Sequence, residues 1–173
     1  MSDLIGQTLG DYRIVELIGA GGMGEVYRAH DSVLDRDVAI KVLPEAVAAN
    51  PERVKRFERE AQATASLHSP HTVNLYDFGH TKDGSFYYVM ELLEGISLDH
   101  LVRKYGPQPP ERVVHLLRQA CHSLHDAHTS HLVHRDIKPG NIFLCRHGRE
   151  VDFVKVLDFG LVKHVGEESS EEM

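Results

Sequence analysis

The chain has 173 residues, 42% of them hydrophobic and 26% charged, a composition that fits an ordinary globular protein of one or two small domains and excludes a disordered chain. Its formal charge of -7, with 19 Lys and Arg scattered among 26 Asp and Glu, argues against a nucleic-acid surface. Cys121 and Cys145 offer neither a disulfide framework nor a thiolate zinc site. With no basic leader and no apolar run near the ~18 residues of a membrane span, a cytoplasmic protein without a membrane segment is expected.

Residues 12–18 and 25–30 alternate well enough for two strands. Between them, Gly19-Ala20-Gly21-Gly22-Met23-Gly24 has the GxGxxG form, and the residues after Gly24 lack helical periodicity and the Lys-Ser/Thr of a P-loop. A flap of two antiparallel strands over phosphates is therefore expected, with a glycine turn holding no ligand as the alternative. A third strand, residues 37–42, carries one charge, Lys41, amid apolar neighbours and so needs an acid from elsewhere.

The next helix supplies a candidate. Asn50 reads as its N-cap, Pro51 as its first residue, and its run extends to about Leu67. Three- and four-residue spacing puts Glu60 on one face with Phe57, Ala61 and Thr64, while the rival acid Glu58 projects away. Residues 73–78 and 85–91, joined by Thr81-Lys82-Asp83-Gly84, complete a five-stranded antiparallel sheet. Leu92-Leu93-Glu94-Gly95 reads as a connector able to bond a planar ligand through its backbone, and Ser97 as the cap of a short helix.

Beyond the Pro-rich residues 106–110, a long helix over about 111–129 carries Val113, Leu116, Leu117, Ala120, Leu124 and Ala127 on one stripe. Short strands at 142–144 and 154–157 come next, joined through a polar turn around Gly148.

Two stretches carry candidate chemistry. In His134-Arg135-Asp136-Ile137-Lys138-Pro139-Gly140-Asn141, Asp136 can accept a proton from a hydroxyl, Lys138 can neutralise a transferring phosphoryl group, and the Asn141 amide oxygen suits Mg²⁺. The histidines at 122, 125, 128, 131 and 134 recur every third residue, a period that drifts around a 3.6-residue helix, so packing and surface roles are expected over metal binding.

Taken together these motifs resemble a eukaryotic-type (Hanks-type) bacterial serine/threonine protein kinase over residues 12–163. The glycine run through Val26, the Val38-Ala39-Ile40-Lys41 strand, Glu60, His134-Arg135-Asp136 with Asn141, and Asp158-Phe159-Gly160 stand in the family's order. The resemblance implies an α+β, protein-kinase-like fold: an N-lobe over 12–93 with a five-stranded antiparallel sheet and one long helix, the first, incomplete part of a mainly helical C-lobe over 94–163, and an acidic tail over 164–173.

It further implies ATP and Mg²⁺ as cofactors, with Asp136, Lys138, Lys41 and Glu60 as catalytic residues and Asn141 and Asp158 as metal ligands. Ile18, Gly19, Gly21, Gly22, Gly24, Val26, Ala39, Lys41, Met90, Glu91, Leu93 and Phe143 would line the nucleotide, Met90 at the gatekeeper position. Arg135 beside Asp136 resembles kinases controlled by phosphorylation of the activation segment. The partner implied is a protein bearing Ser or Thr.

The sequence ends at Met173, so the family's Ala-Pro-Glu-like motif and later helices are expected to be missing. The apolar stripe of the long helix is then expected to be uncovered and open to a partner or to self-association, and the alternative function is a nucleotide-binding fragment or pseudokinase without transferase activity. Ser169 and Ser170 among four glutamates read as a solvated tail, with autophosphorylation as the alternative.

Overall fold

The computed structural model describes residues 4–21, 24–44 and 49–159, which divide into two compact units. One takes the chain up to Ala61 together with Asn74–Leu92; the other takes Gln62–Val73 and the chain from Leu93 on. Residues 62–73, grouped with the first domain on sequence grounds, thus belong with the second unit. The tail over 164–173 lies outside the described residues. Among the described residues no helix is long and apolar enough to cross a membrane.

The first unit is built on an antiparallel sheet in the order β1-β2-β3-β4-β6-β5, formed by Thr8–Leu9, Tyr12–Gly21, Gly24–Asp31, Arg36–Val42, Phe86–Glu91 and Leu75–His80 respectively. It has six strands where five are expected from the pattern. The additional strand, β1, is two residues long, too short to show an alternating pattern.

Pleating assigns every side chain of the sheet to one of two faces. Register pairs Tyr27 with Ile40, and Ile40 with Val89, so these lie on one face; with Leu4, Leu9, Ile14, Ala29, Val38, Val42 and Tyr87 they form a buried apolar cluster. The opposite face carries the intervening positions: Val26 is paired with Lys41, Lys41 with Tyr88, and Ala39 with Met90. The residues singled out for chemistry on β3, β4 and β6 therefore share a face by strand parity.

The helix α1, Pro51–Ala65, begins where the sequence signals it. Asn50 Oδ1 accepts hydrogen bonds from the N–H groups of Glu52 (3.0 Å) and Arg53 (3.2 Å), satisfying two donors that the first turn would otherwise leave open. Phe57, Ala61 and Thr64 are buried, and Phe57 stacks on Phe86 of β6 with ring centroids 6.3 Å apart.

The second unit has a three-stranded antiparallel sheet of β7 (Gly95–Ser97), β8 (Ile142–His147) and β9 (Glu150–Val156), two helices, α2 (Leu98–Tyr105) and α3 (Pro110–Thr129), and a single 3-10 turn over Pro139–Asn141. β7 occupies the end of what reads in sequence as a connector. Ser97 caps α2, its hydroxyl accepting from the His100 N–H at 3.2 Å. Leu116, Ala120 and Ala127 of α3 pack with Leu67, Leu101, Ile142, Leu144, Val154, Val156 and Phe159.

Two polar clamps fix α3 in this unit. Gln119 reads the edge of β9 as another strand would, its amide donating to the Asp152 carbonyl (2.9 Å) and accepting from the Val154 N–H (3.0 Å). Asp126 accepts from the N–H groups of His68 (2.8 Å) and Ser69 (2.9 Å). The chain then runs alongside β9, the Val156 N–H donating to the His71 carbonyl and the Val73 N–H to the Val156 carbonyl. This is why the strand expected over 73–78 starts only at Leu75: Val73 is already engaged with β9.

A Cβ on Gly95 would overlap the Leu144 carbonyl oxygen across the β7–β8 ladder, so only glycine fits. Gly95→Ala should destabilise the chain by about 3 kcal/mol, and Ser97→Ala, which removes one cap bond, by about 1 kcal/mol. Urea denaturation of the two variants against the parent chain checks both the sizes and their order.

Candidate functional site

The loop after α3 is organised by one buried side chain. His134, 2% exposed, places Nε2 2.7 Å from the Leu157 carbonyl and Nδ1 3.2 Å from the Asp136 N–H. A carbonyl only accepts and an N–H only donates, so the imidazole is neutral with its proton on Nε2. Its ring also packs on buried Phe159, centroids 4.6 Å apart. Leu157 closes the link from the other side, its N–H donating to the Asn141 carbonyl at 2.9 Å.

Held this way, the loop brings three expected residues together. Lys138 Nζ lies 2.7 Å from Asp136 Oδ2. Asn141 Nδ2 donates to the same oxygen at 3.0 Å and to the Asp136 carbonyl at 2.8 Å. Partial burial raises the Asp136 pKa, but the hydrogen bond and charge of Lys138, then the Asn141 bond, outweigh it and hold the carboxyl below its ordinary range. Asp136 is therefore an anion at neutral pH.

The turn over Pro139–Asn141 buries Asn141 and spends its amide nitrogen on Asp136, which leaves Oδ1 as the hard donor a cation would need. Asp158, the second expected metal ligand, is half-buried and has φ of 55°, and Arg135 has φ of 63°. Left-handed backbone at non-glycine residues persists only where the surroundings impose it. An oxygen-only donor pair fits Mg²⁺ rather than a softer metal.

In the first unit, β2 and β3 meet strand to strand across the glycines, Gly19 paired with Val26 and Gly21 with Gly24. Gly22 lies outside the described residues, as does Gly160. Gly24 has φ of 107° and its missing Cβ would overlap the Val42 carbonyl, so the hairpin can lie against β4 only with glycine there. Ile18 is exposed on β2.

Lys41 and Ala39 are buried on the face that Val26 and Met90 share. Glu60 is half-buried on the side of α1 that carries Phe57 and Ala61, as its spacing implies. Glu58 is not simply solvated, since His80 Nε2 lies 3.7 Å from it. The Glu91 N–H donates to the Asn74 carbonyl at 3.0 Å. Leu93 and Phe143 are half-buried residues of the second unit.

Sequence reasoning missed the ring of His134 as the organiser of the loop, and Leu157 as its counterpart. The signal was faint, one apolar residue directly before Asp158. No group of three His, Cys, Asp or Glu side chains that could hold a metal converges among the described residues, and the histidines at 122, 125, 128 and 131 are exposed.

Comparison with known proteins places these features. Residues 12–173 match the protein kinase domain family. The serine/threonine-protein kinase pkn3 of Myxococcus xanthus is 40% identical over 162 residues, 93% of this chain and 30% of the relative. The serine/threonine-protein kinase PrkC of Bacillus subtilis is 42% identical over 159 residues, 91% of this chain and 24% of the relative. The chain thus spans under a third of either. A double-mutant kinase domain of Mycobacterium tuberculosis PknI superposes with a TM-score of 0.84 at 30% identity, covering 93% of this chain and 63% of that one.

Burial keeps the His134 pKa below its ordinary value, against the smaller upward pull of the Leu157 bond and the Asp158 and Asp136 charges. The unfolded chain therefore takes up a proton that the folded chain resists. The stability contribution is complete above the unfolded pKa of about 6.5 and is lost as pH falls towards the folded value. Urea midpoints should fall between about pH 7 and pH 5 in the parent chain, and fall less in His134→Asn, whose midpoint at neutral pH is already lower.

Proposed function

Since the chain belongs to the protein kinase family, we propose that it transfers the γ-phosphoryl group of Mg-ATP to a serine or threonine hydroxyl of a protein. The observation that carries this reading is the Asp136 carboxylate, ionised and aimed by Asn141 and Lys138. Asp136 orients the substrate hydroxyl and accepts its proton. Lys138, already beside that carboxylate, is placed to neutralise charge that develops on the transferring group.

Asn141 Oδ1 and the Asp158 carboxylate are the residues assigned to Mg²⁺, which when bound would offset the negative charge of the β- and γ-phosphates. From the first unit, Lys41 is assigned to the α- and β-phosphates, with Glu60 as the acid that orients it, and the glycine hairpin from Gly19 to Gly24 to covering them. Ile18, Val26 and Ala39 offer apolar surface to the adenine ring. The backbone groups of Glu91 and Leu93 bond its edge, and Met90 bounds its depth. Most of the catalysis in this scheme is placement and charge neutralisation.

A second reading, nucleotide binding without transfer, is favoured by one observation: α3 presents Val113, Val114 and Leu117 to solvent, the last two 60% and 45% exposed. Apolar surface of that kind suits a binding role through a partner or a second copy.

Calorimetry and radiolabelled phosphate transfer separate these readings. Lys41→Met should weaken Mg-ATP binding at least about tenfold. Asp136→Asn should bind Mg-ATP as the parent does yet lose transfer to a generic basic protein by about 10²-fold or more. Mg-ATP binding in the parent chain without any Asp136-dependent transfer would leave only the second reading.

A further inference from the structure

The second unit has a groove of about 550 Å³ on the side of α3 that faces the β8–β9 turn. Its rim holds His71, His115, Arg118, His122, Arg149 and Glu150, none of them in the loop that carries Asp136. In a chain of formal charge -7 the groove's lining, with Arg118 and Arg149 against Glu150 and Asp152, is formally balanced, so its sign turns on how those acids are engaged. Arg118 and Arg149 have no hydrogen-bond or ion-pair partner among the described residues, although guanidinium groups are well suited to pairing with carboxylates.

The acids nearby do not cancel them. Asp152 is occupied by Arg112, which holds both of its oxygens at 2.7 Å. Glu150, the other acid of the lining, makes no ion pair with either arginine among the described residues, so one charge stands against two. Lys155, only 4% exposed, adds a buried positive charge felt by His71, and its Nζ donates to the Thr72 carbonyl at 3.2 Å.

The imidazoles are oriented. His71 donates from Nδ1 to the Val154 carbonyl at 2.9 Å, so its other nitrogen is free of that bond, and its ring lies 5.9 Å from that of His122. Gln119, locked on the β9 edge, also presents its amide nitrogen to His115 Nε2 at 3.0 Å.

From this groove we infer a binding site for a phosphate dianion, free or carried on a side chain, with Arg118 and Arg149 as the two arms that hold its oxygens and His122 as a further donor. The guanidinium fork matches the geometry of phosphate oxygens, and each charge-assisted bond is strong where neither partner must leave an existing ion pair. The site takes either free phosphate or a phosphorylated serine or threonine side chain. It rests on its own residues and is independent of the activity proposed above.

The test is calorimetry on the intact chain with three probes: inorganic phosphate, a phosphothreonine peptide and the same peptide unphosphorylated. Both phosphate probes should bind and the third should not, with affinity falling as salt rises. Arg118→Gln and Arg149→Gln should each weaken binding about tenfold, while Arg103→Gln, an exposed arginine on α2 paired with Asp99, should leave it unchanged. Both groove arginines are exposed, so an unaltered melting curve in each variant is expected and keeps the comparison clean.

Tighter binding of the phosphopeptide than of phosphate identifies a phosphorylated protein as the source, and equal binding identifies the free anion; both support the site. Equal loss in Arg103→Gln, or equal binding of the unphosphorylated peptide, would overturn it as general surface electrostatics. So would zinc binding abolished by His122→Ala with no arginine-dependent phosphate binding, which would make the groove a metal site.

Discussion

The second unit depends on a buried imidazole that its two hydrogen-bond partners hold in the neutral form. His134 is buried, one of its nitrogens must donate to the Leu157 carbonyl and the other must accept from the Asp136 N–H. Protonating it would set donor against donor at Asp136; removing it would leave a part-buried carbonyl and an N–H without their partner, each a cost of about 1 kcal/mol or more. Both groups border the candidate site: one belongs to Asp136 itself, the other to the residue before Asp158. A single ring thus ties the loop at Asp136 to the end of β9 that leads through Leu157 to Asp158.

The first unit reaches its order by a different constraint, strand parity. Once Ile40 is committed to the apolar cluster with Val38 and Val42, Ala39 and Lys41 have no choice but the other face, and cross-strand pairing brings Val26 and Met90 to the same side. A one-residue slip in β4 would bury the wrong set and turn Lys41 towards the apolar cluster. The close approach of Gly24 to Val42 ties the glycine hairpin to that same register.

Local signals were the legible part of the sequence. Asn50 before Pro51 and Ser97 before Leu98 name helix starts because the capping chemistry is carried by those residues alone. The glycine hairpin was legible because no helical period comes after it, and the loop around Asp136 because its residue types sit within a few positions of each other. The illegible parts are those in which one residue's role is set by a distant one. Nothing near Gln119 announces that its amide completes the edge of β9, and nothing near Val73 announces that β9 rather than β6 takes its backbone. The strands β1 and β7, two and three residues long, escape any periodicity argument.

The long helix shows why a stripe read from sequence overstates what is buried. Six apolar residues fall on one arc of α3, yet Leu116, Ala120 and Ala127 are buried while Val113 and Leu117 stand in solvent. The actual buried line runs through Ser123, which hydrogen-bonds Thr72 at 2.7 Å, a polar contact that hydropathy alone would assign to the outside. What decides the buried side is where Gln119 and Asp126 are clamped, because those bonds fix the rotation of the helix about its axis. With the rotation fixed, Leu124 still packs against this unit's core, while Val113 and Leu117 are turned to its exposed side. The same rotation turns Arg118 and His122 towards the β8–β9 turn, so the position of the cationic groove follows from the clamps that orient the helix.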